Sequence, residues 1–305
     1  FGLGSFKALG GTYGVLKFIH HALKKEIGDE VSMKDIHAGK YSEQISKYTV
    51  TTATDGNHGR SVAFGAKLFG CKCQIYIHSE VSSGRQKAME DLEATVNRVS
   101  GNYDESLQIC IEDAGKNNWY VISDTSYEGY TKYPRYIMAG YNVMAEEIID
   151  QIKDRPLPTH VFLQGGVGSF PGAICGYFWE KFPGNNIKFV VVESEHAPCL
   201  IRSAQNNQMT SVNIKQETMM AGLSCGEPSL LGWEILKSGT DDFITINDSS
   251  IPGLMRLLAE NNLKIEAGES SVAGLAGLIE SMEDQKIAKA MGLNKESIVL
   301  LFGTE

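Results

Sequence analysis

Short apolar strands alternate with helical segments along most of this chain, and that alternation limits the folds open to it. The first series of such segments covers residues 48–124. Its pattern predicts strands at 48–54, 73–78, 94–99 and 119–123, with helices at 60–69, 85–92 and 103–116. Strands separated by helices usually form a parallel sheet that helices cover on both faces. We therefore expect an α/β protein.

A second series of the same kind follows the first. It predicts strands at 159–163, 187–193, 242–246 and 297–302, and helices at 137–152, 170–181, 200–206, 230–237, 251–259 and 270–282. The run IKFVVVE at 187–193 is almost continuously apolar, which is typical of a strand buried on both faces. A second, mostly parallel sheet is therefore expected.

Composition excludes several classes of function. The 305 residues carry a formal charge of -9, and no run of basic residues with aromatic neighbours indicates a nucleic-acid surface. No stretch reaches the roughly 18 apolar residues that a membrane-spanning helix needs. The six cysteines show neither a CxxC motif nor a Cys/His ligand spacing. We therefore expect no metal site, and a protein of the reducing cytosol that binds neither nucleic acid nor membrane.

Lys7 lies in the glycine-rich stretch FGLGSFKALGGTYG. In a helix that begins near Ser5, the neighbours of Lys7 at i+3, i+4 and i+7 are Gly10, Gly11 and Gly14. Each glycine costs a helix about 1 kcal/mol relative to alanine. A planar cofactor in the space beside the amine would offset that cost, whereas a solvated lysine at a helix start is the alternative. Apolar spacing predicts that the core-facing side is formed by Leu9, Tyr13, Leu16, His20, Leu23 and Ile27.

A second glycine-rich stretch joins the strand at 159–163 to the helix at 170–181. It reads Gly165-Gly166-Val167-Gly168-Ser169. Glycines let successive backbone N–H groups converge, and a helix N-terminus adds unpaired donors, so the stretch predicts a phosphate site. A structural tight turn is the alternative. The glycine-rich stretch is not a Walker loop, because no Gly-Lys-Ser/Thr follows it.

Polar side chains follow several of the predicted strands. Asp55 and Asn57 lie in TDGNHG after the first strand, and Asp124 follows the strand at 119–123. Thr304 follows the closing strand. Ligands of parallel sheets bind at the carboxyl ends of the strands, so these residues are site candidates. Helix caps or turn residues are the alternative for both acids, and an ordinary strand-end residue is the alternative for Thr304.

A lysine, an asparagine between a strand and a helix, and a phosphate site together fit one cofactor, pyridoxal 5'-phosphate (PLP). The sequence resembles the fold-type II (tryptophan synthase β-like) PLP-dependent enzymes, and within them the diaminopropionate ammonia-lyases. The resemblance extends over essentially the whole chain. The segments that carry it are FGLGSFKALGG, TTATDGNHGR, SDTSYEGYTKYP, THVFLQGGVGS, MAGLSCGEPSLLGWEIL and AGESS.

The resemblance implies how the cofactor is held. Lys7 would be the Schiff-base lysine, and Asn57 would bind the ring oxygen of the cofactor. Gly165, Gly166, Val167, Gly168 and Ser169 would bind the phosphate. Thr304 would bind the pyridine nitrogen, and a neutral hydroxyl there favours elimination over transamination.

The resemblance also implies an activity, the α,β-elimination of D- and L-2,3-diaminopropionate to pyruvate and ammonia, as in amino-acid catabolism. Asp55 would take the α-proton of the D isomer and Lys7 that of the L isomer. Asp124 would bind the β-amine or assist its departure. The expected protein is a cytoplasmic homodimer of two three-layer α/β/α domains with the cofactor between them. The larger domain would comprise residues 1–48 and 125–305, and the smaller one 49–124.

Two other functions remain open from the residues. One is a serine/threonine dehydratase or another β-eliminating lyase on the same scaffold. The other is a non-catalytic ligand-binding protein that has kept the fold. Cys199 and Cys225 are expected to be unpaired buried thiols. Three tryptophans are expected in the core: Trp119, Trp179 and Trp233.

Overall fold

The computed structural model describes residues 2–101, 103–260 and 264–304. The chain divides into two compact units. One is formed by Phe1–Asp124 and Tyr130–Gly140, and the other by Thr125–Gly129 and Tyr141–Glu305. Within the described residues each unit contains a four-stranded sheet. No helix in those described ranges is long and apolar enough to cross a membrane.

The first unit contains the helices and strands up to β4. They are α1 (Lys7–Ile27), α2 (Met33–His37), α3 (Ser42–Ile45), β1 (Thr49–Ala53), α4 (Asn57–Phe69), β2 (Lys72–Ile77), α5 (Ser83–Glu90), β3 (Thr95–Arg98), α6 (Tyr103–Asn117) and β4 (Tyr120–Val121). The sheet order is β3-β2-β1-β4, and all pairings are parallel. The residues that follow β1, β2 and β4 therefore lie at one carboxyl edge.

The three glycines of α1 allow other helical segments to come close. A β-carbon on Gly11 would lie 1.7 Å from Oγ of Ser61 in α4. The helix contacts are Gly10 with Gly140, Gly11 with Ser61 and Gly14 with Ile137. All of these residues belong to the first unit. The interpretation of the glycines as a slot for a planar cofactor is therefore wrong, because protein atoms occupy the space beside them.

The core-facing side of α1 also differs from the predicted one. Of the predicted stripe only Leu23 is buried, and Ile27 is 48% exposed. Val15, Phe18 and Ile19 are the fully enclosed apolar residues instead. The prediction failed because it placed the glycines away from the core. Since the glycine side is the packed side, the buried stripe is rotated toward it.

The elements after β4 belong to the second unit, except that the part of α7 up to Gly140 belongs to the first. They are α7 (Lys132–Ile152), β5 (His160–Gln164), α8 (Ser169–Lys181), β6 (Lys188–Ser194), α9 (Cys199–Asn206), α10 (Leu230–Gly239), β7 (Asp242–Ile246), α11 (Ile251–Glu260), α12 (Ala273–Glu283), α13 (Gln285–Met291) and β8 (Val299–Leu300). Short 3-10 turns occupy Ala221–Leu223 and Asp248–Ser250. The sheet order is β7-β6-β5-β8, again parallel throughout.

The central strands of the second sheet are buried, as their sequences predict. Every residue of β5 is buried, and β6 is buried from Phe189 onward. Phe162 and Val190 pack with Val272 and Ala276 in one hydrophobic cluster. The core of this unit therefore lies beneath the strand that leads into the glycine turn.

The predicted fold class is confirmed: both units are α/β with parallel sheets. The edge strands β4 and β8 are shorter than predicted, with two residues each. The short helices α2, α3 and α13 were not predicted. Trp233 is buried as expected and Trp119 is half-buried, but Trp179 is 42% exposed, so its core assignment is wrong.

The N-terminal segment packs within the first unit. A β-carbon on Gly65 of α4 would lie 3.0 Å from the Cα of Thr12 in α1, so the two helices are in close contact. By contacts, residues 1–48 therefore group with Thr49–Asp124. The predicted division into a domain of 49–124 and one of 1–48 with 125–305 stays a prediction about functional domains.

Candidate active site

Three site residues follow neighbouring strands of the first sheet. Asp55 comes just after β1, His78 just after β2 and Asp124 after β4. Because these strands are parallel neighbours, all three residues lie at the carboxyl edge of the sheet. Sequence reasoning found the two acids but missed the histidine.

Lys7 and Asp124 form an ion pair. The Lys7 Nζ lies 2.5 Å from Oδ2 of Asp124, and the two side chains are 20% and 13% exposed. Burial acts to raise the pKa of Asp124, but the electrostatic interactions with the neighbouring His58 and Lys7 outweigh it and hold that pKa well below its ordinary value. Asp124 is therefore a carboxylate, and its predicted alternative as a simple cap or turn residue does not describe it.

His58 is a buried neighbour of this pair. Its Nε2 lies 2.7 Å from the carbonyl oxygen of Ile122, and because a carbonyl only accepts, the Nε2 carries the proton. Burial lowers the pKa of His58, so the ring is neutral at pH 7. Its unprotonated Nδ1 lies 3.7 Å from Oδ2 of Asp124. Since the ring is neutral, Lys7 is the cation that balances the Asp124 charge. His58 lies in the DGNHG motif, and this motif is the sequence feature that could have identified His58 as a site residue.

Asp55 is paired with a histidine rather than with the helix. Oδ1 of Asp55 lies 2.9 Å from Nε2 of His78, and the Asp55 side chain is 30% exposed. Thr54 takes the role at the start of α4, because its Oγ1 accepts hydrogen bonds from the N–H groups of Gly56 and Gly59 at 3.0 and 3.1 Å. The alternative of Asp55 as a helix cap is therefore wrong. Asn57 is half-buried and is the first residue of α4.

The turn between β5 and α8 has the backbone of an anion site. Gly166 and Gly168 have φ angles of 61° and 93°, which favour glycine. A β-carbon on Gly165 would lie 2.6 Å from Cγ of Glu193. Within the described ranges the N–H groups of Gly166 and Val167 donate no hydrogen bond. Unpaired donors beside the N-terminus of α8 fit the phosphate of PLP.

A buried acid packs against this turn. Glu193, in β6, accepts hydrogen bonds from the N–H groups of Leu200 and Ile201, both at 2.8 Å. Burial raises the pKa of Glu193 to about 7. On the turn itself, the N–H of Ser229 donates to the carbonyl of Val167 at 2.7 Å. Sequence reasoning did not single out Glu193, because IKFVVVE reads only as a buried strand.

Cys199 and Cys225 form no disulfide, as predicted. Cys199 is buried, its Sγ lies 3.6 Å from the carbonyl oxygen of Gly166, and burial raises the pKa of its thiol. Cys225 is half-exposed, so the prediction that it is buried is wrong.

Thr304 lies in the segment that follows β8. The Nε2 of Gln164, at the end of β5, donates to the carbonyl of Phe302 at 2.8 Å. This bond holds the segment at the same sheet edge as the turn that begins at Gly165. The half-buried Thr304 therefore lies at the carboxyl edge, and its role toward a ring nitrogen stays a prediction.

Comparisons with known proteins support the resemblance that the sequence motifs indicate. The diaminopropionate ammonia-lyase of Escherichia coli K12 is 35% identical over 100% of this chain and 77% of the relative. A crystal structure of the E. coli enzyme, in complex with an aminoacrylate-PLP azomethine reaction intermediate, matches with a TM-score of 0.88. It covers 100% of this chain and 76% of that chain at 34% identity.

A further relative carries another name. The probable D-serine dehydratase of Carboxydothermus hydrogenoformans is 27% identical over 90% of this chain and 66% of the relative. A family model described as "Pyridoxal-phosphate dependent enzyme" matches residues 2–303. The resemblance predicted from the motifs is confirmed, and the chain belongs to the family of pyridoxal-phosphate-dependent enzymes.

Proposed function

We propose that the chain catalyses the α,β-elimination of D- and L-2,3-diaminopropionate to pyruvate and ammonia. The observation that carries the proposal is the largely buried carboxylate of Asp124, 13% exposed, beside the amine of Lys7. A substrate with a second ammonium group calls for a negative charge near its β-carbon, whereas serine does not. The 35% identity to the E. coli ammonia-lyase over the whole chain supports the same substrate.

The residues present fit the cofactor. The Lys7 amine would bind it covalently, Asn57 its ring oxygen and Thr304 its ring nitrogen, while the turn from Gly165 to Ser169 would hold its phosphate. When bound, the cofactor supplies an electron sink for the negative charge that forms at the substrate α-carbon. The unpaired N–H groups of the turn and the half-buried Thr304 support these assignments.

Lys7 and Asp124 would together catalyse the elimination from the L isomer. A free Lys7 amine accepts the α-proton and becomes an ammonium ion, which Asp124 stabilises at the distance seen here. The carboxylate of Asp124 would also bind the substrate β-ammonium group until ammonia leaves.

Asp55 would take the α-proton of the D isomer. Because the two isomers present this proton on opposite sides of the α-carbon, two different bases are needed. The partly exposed carboxylate of Asp55, in the strand-to-helix loop after β1, supports its assignment as the second base.

A second candidate function is the dehydration of D-serine, which the dehydratase relative supports. Pyruvate release from both diaminopropionate isomers and from D-serine separates the two functions. We expect the diaminopropionates to be the better substrates, and Asp124→Asn to reduce that preference. Preferred turnover of D-serine would favour the dehydratase. A protein without visible absorbance from bound cofactor would favour the non-catalytic alternative.

We also propose that the protein acts as a cytoplasmic homodimer. The resemblance to the ammonia-lyases supports the dimer, and the absence of disulfides among the described cysteines supports a reducing compartment. Sedimentation equilibrium of the purified protein tests the dimer, and a mass equal to one chain would contradict it.

A further inference from the structure

The histidine at the end of β2 has no part in the function proposed above, yet it contacts one of its bases. Nε2 of His78 lies 2.9 Å from Oδ1 of Asp55, and the two side chains are 14% and 30% exposed. Both residues belong to the first unit. The two residues therefore belong to the same compact unit, and their partial exposure leaves them accessible to a substrate.

The backbone fixes which nitrogen of His78 carries the proton. The N–H of Glu80 donates to Nδ1 of His78 at 3.3 Å. A ring nitrogen that accepts a hydrogen bond has no proton of its own, so the neutral ring carries its proton on Nε2. That nitrogen lies 2.9 Å from Oδ1 of Asp55. The Nε2 side of the ring therefore faces Asp55, and His78 is not a base in competition with it.

The backbone of His78 is itself held in place. β1 and β2 pair in register up to Ala53 and Tyr76, just before the two residues. Nη1 of Arg98 donates to the carbonyls of His78 and Ser79 at 3.2 and 2.7 Å. A donor on a fixed strand end can orient a loop carboxylate better than a mobile surface side chain can.

Other charged groups lie on the elements around the pair. Arg85 of α5 packs against Gly56, where a β-carbon would lie 3.1 Å from its Cδ. Glu80 follows His78, and its carboxylate accepts from the hydroxyl of Ser79. Arg98 of β3 is the third charged side chain near the pair. Among the residues described, His78 is the one whose side-chain nitrogen comes within ion-pair distance of the Asp55 carboxylate.

We propose that His78 is a positioning residue for Asp55. Its Nε2–H holds Oδ1, and this leaves Oδ2 of Asp55 to accept the α-proton of the D isomer. The proposal rests on the proposed function, in which Asp55 is the base for that isomer. Because Lys7 serves the L isomer, the loss of His78 affects one isomer and not the other.

The test compares the two isomers in the holoenzyme. In His78→Leu, kcat for D-diaminopropionate should fall about 10- to 100-fold, the scale of a base displaced by about 1 Å, while kcat for the L isomer is retained. His78→Gln should recover part of the loss, because its amide N–H can donate near the place of Nε2. His37→Leu, at an exposed position of α2, is the matched control and should change neither rate. Equal losses for both isomers, or no loss, would overturn the proposal.

Asp55→Asn separates this inference from the proposed function. If that variant leaves the ratio of D to L turnover unchanged, the base assignment itself is wrong. If it loses D turnover selectively and His78→Leu does not, only the role of His78 is wrong. Nitrogen-15 NMR of histidine-labelled holoenzyme adds a readout besides activity. It should place the His78 proton on Nε2, and a proton on Nδ1 would contradict the geometry.

Discussion

Replacing Gly11 by alanine is predicted to destabilise the fold, because this glycine lets α1 and α4 touch. A β-carbon at position 11 would lie 1.7 Å from Oγ of Ser61 and 2.9 Å from its Cβ. Ser61 is fully buried. Rotation of its hydroxyl would relieve the first contact but not the second, so α1 must shift away from α4.

The size of the effect follows from two opposing contributions. Overpacking in a core typically costs about 1–3 kcal/mol. Alanine in place of glycine inside a helix gains about 1 kcal/mol. Since the remaining contact is with a β-carbon and not with a flexible side-chain end, the upper part of the range applies. We expect a net loss of about 2 kcal/mol in the free energy of unfolding.

Equilibrium urea unfolding, followed by circular dichroism, measures this loss against two other variants. Gly115→Ala in α6 is the matched control, because its β-carbon would meet nothing within 4 Å, and it should be neutral or stabilising. The double variant Gly11→Ala with Ser61→Gly removes both close atoms and should recover most of the stability. A Gly11→Ala protein that unfolds like the wild type and loses only cofactor absorbance would refute the packing account. That result would restore the interpretation of a cofactor slot.

Further variants test the cofactor site and its support. Lys7→Ala should lose the visible absorbance and pyruvate release together, and a retained band would contradict its role. Gly166→Ala places alanine at a φ of 61°, which costs about 1–2 kcal/mol. It should weaken PLP binding about tenfold in dialysis, whereas Gly184→Ala, with a φ of 75° away from the turn, should not. Burial raises the pKa of Glu193 to about 7 from an unfolded value of 4.5, so the folded protein holds the extra proton. Stability should therefore fall as pH rises from 4.5 to 7, by up to about 3 kcal/mol. The difference in urea stability between wild type and Glu193→Gln should show this slope, and a difference independent of pH would contradict it.

The sequence predicted the architecture well, because alternating apolar segments report which residues are buried. The strands β1, β2, β5, β6 and β7 lie where the pattern placed them. The edge strands β4 and β8 are shorter than predicted. An apolar pattern does not show where hydrogen bonding to a neighbouring strand stops, so edge strands are predicted less accurately than central ones.

The candidate site was predicted in its local motifs but not in its long-range contacts. Asp55 and Asp124 follow their strands in short recognisable loops, and both lie at the expected sheet edge. His78 and Glu193 were missed because their partners come from other segments of the chain. The glycines of α1 were misinterpreted for a related reason: a sequence shows that a side chain is missing but not which atoms fill the space.

The most direct test of the proposed function is the rate of pyruvate release by the purified holoenzyme. D- and L-2,3-diaminopropionate are compared with D-serine as kcat/KM, for the wild type and for Asp124→Asn. We predict that both diaminopropionate isomers exceed D-serine in the wild type, and that the variant loses this preference. A wild-type kcat/KM for D-serine equal to or above that for either isomer would contradict the proposal.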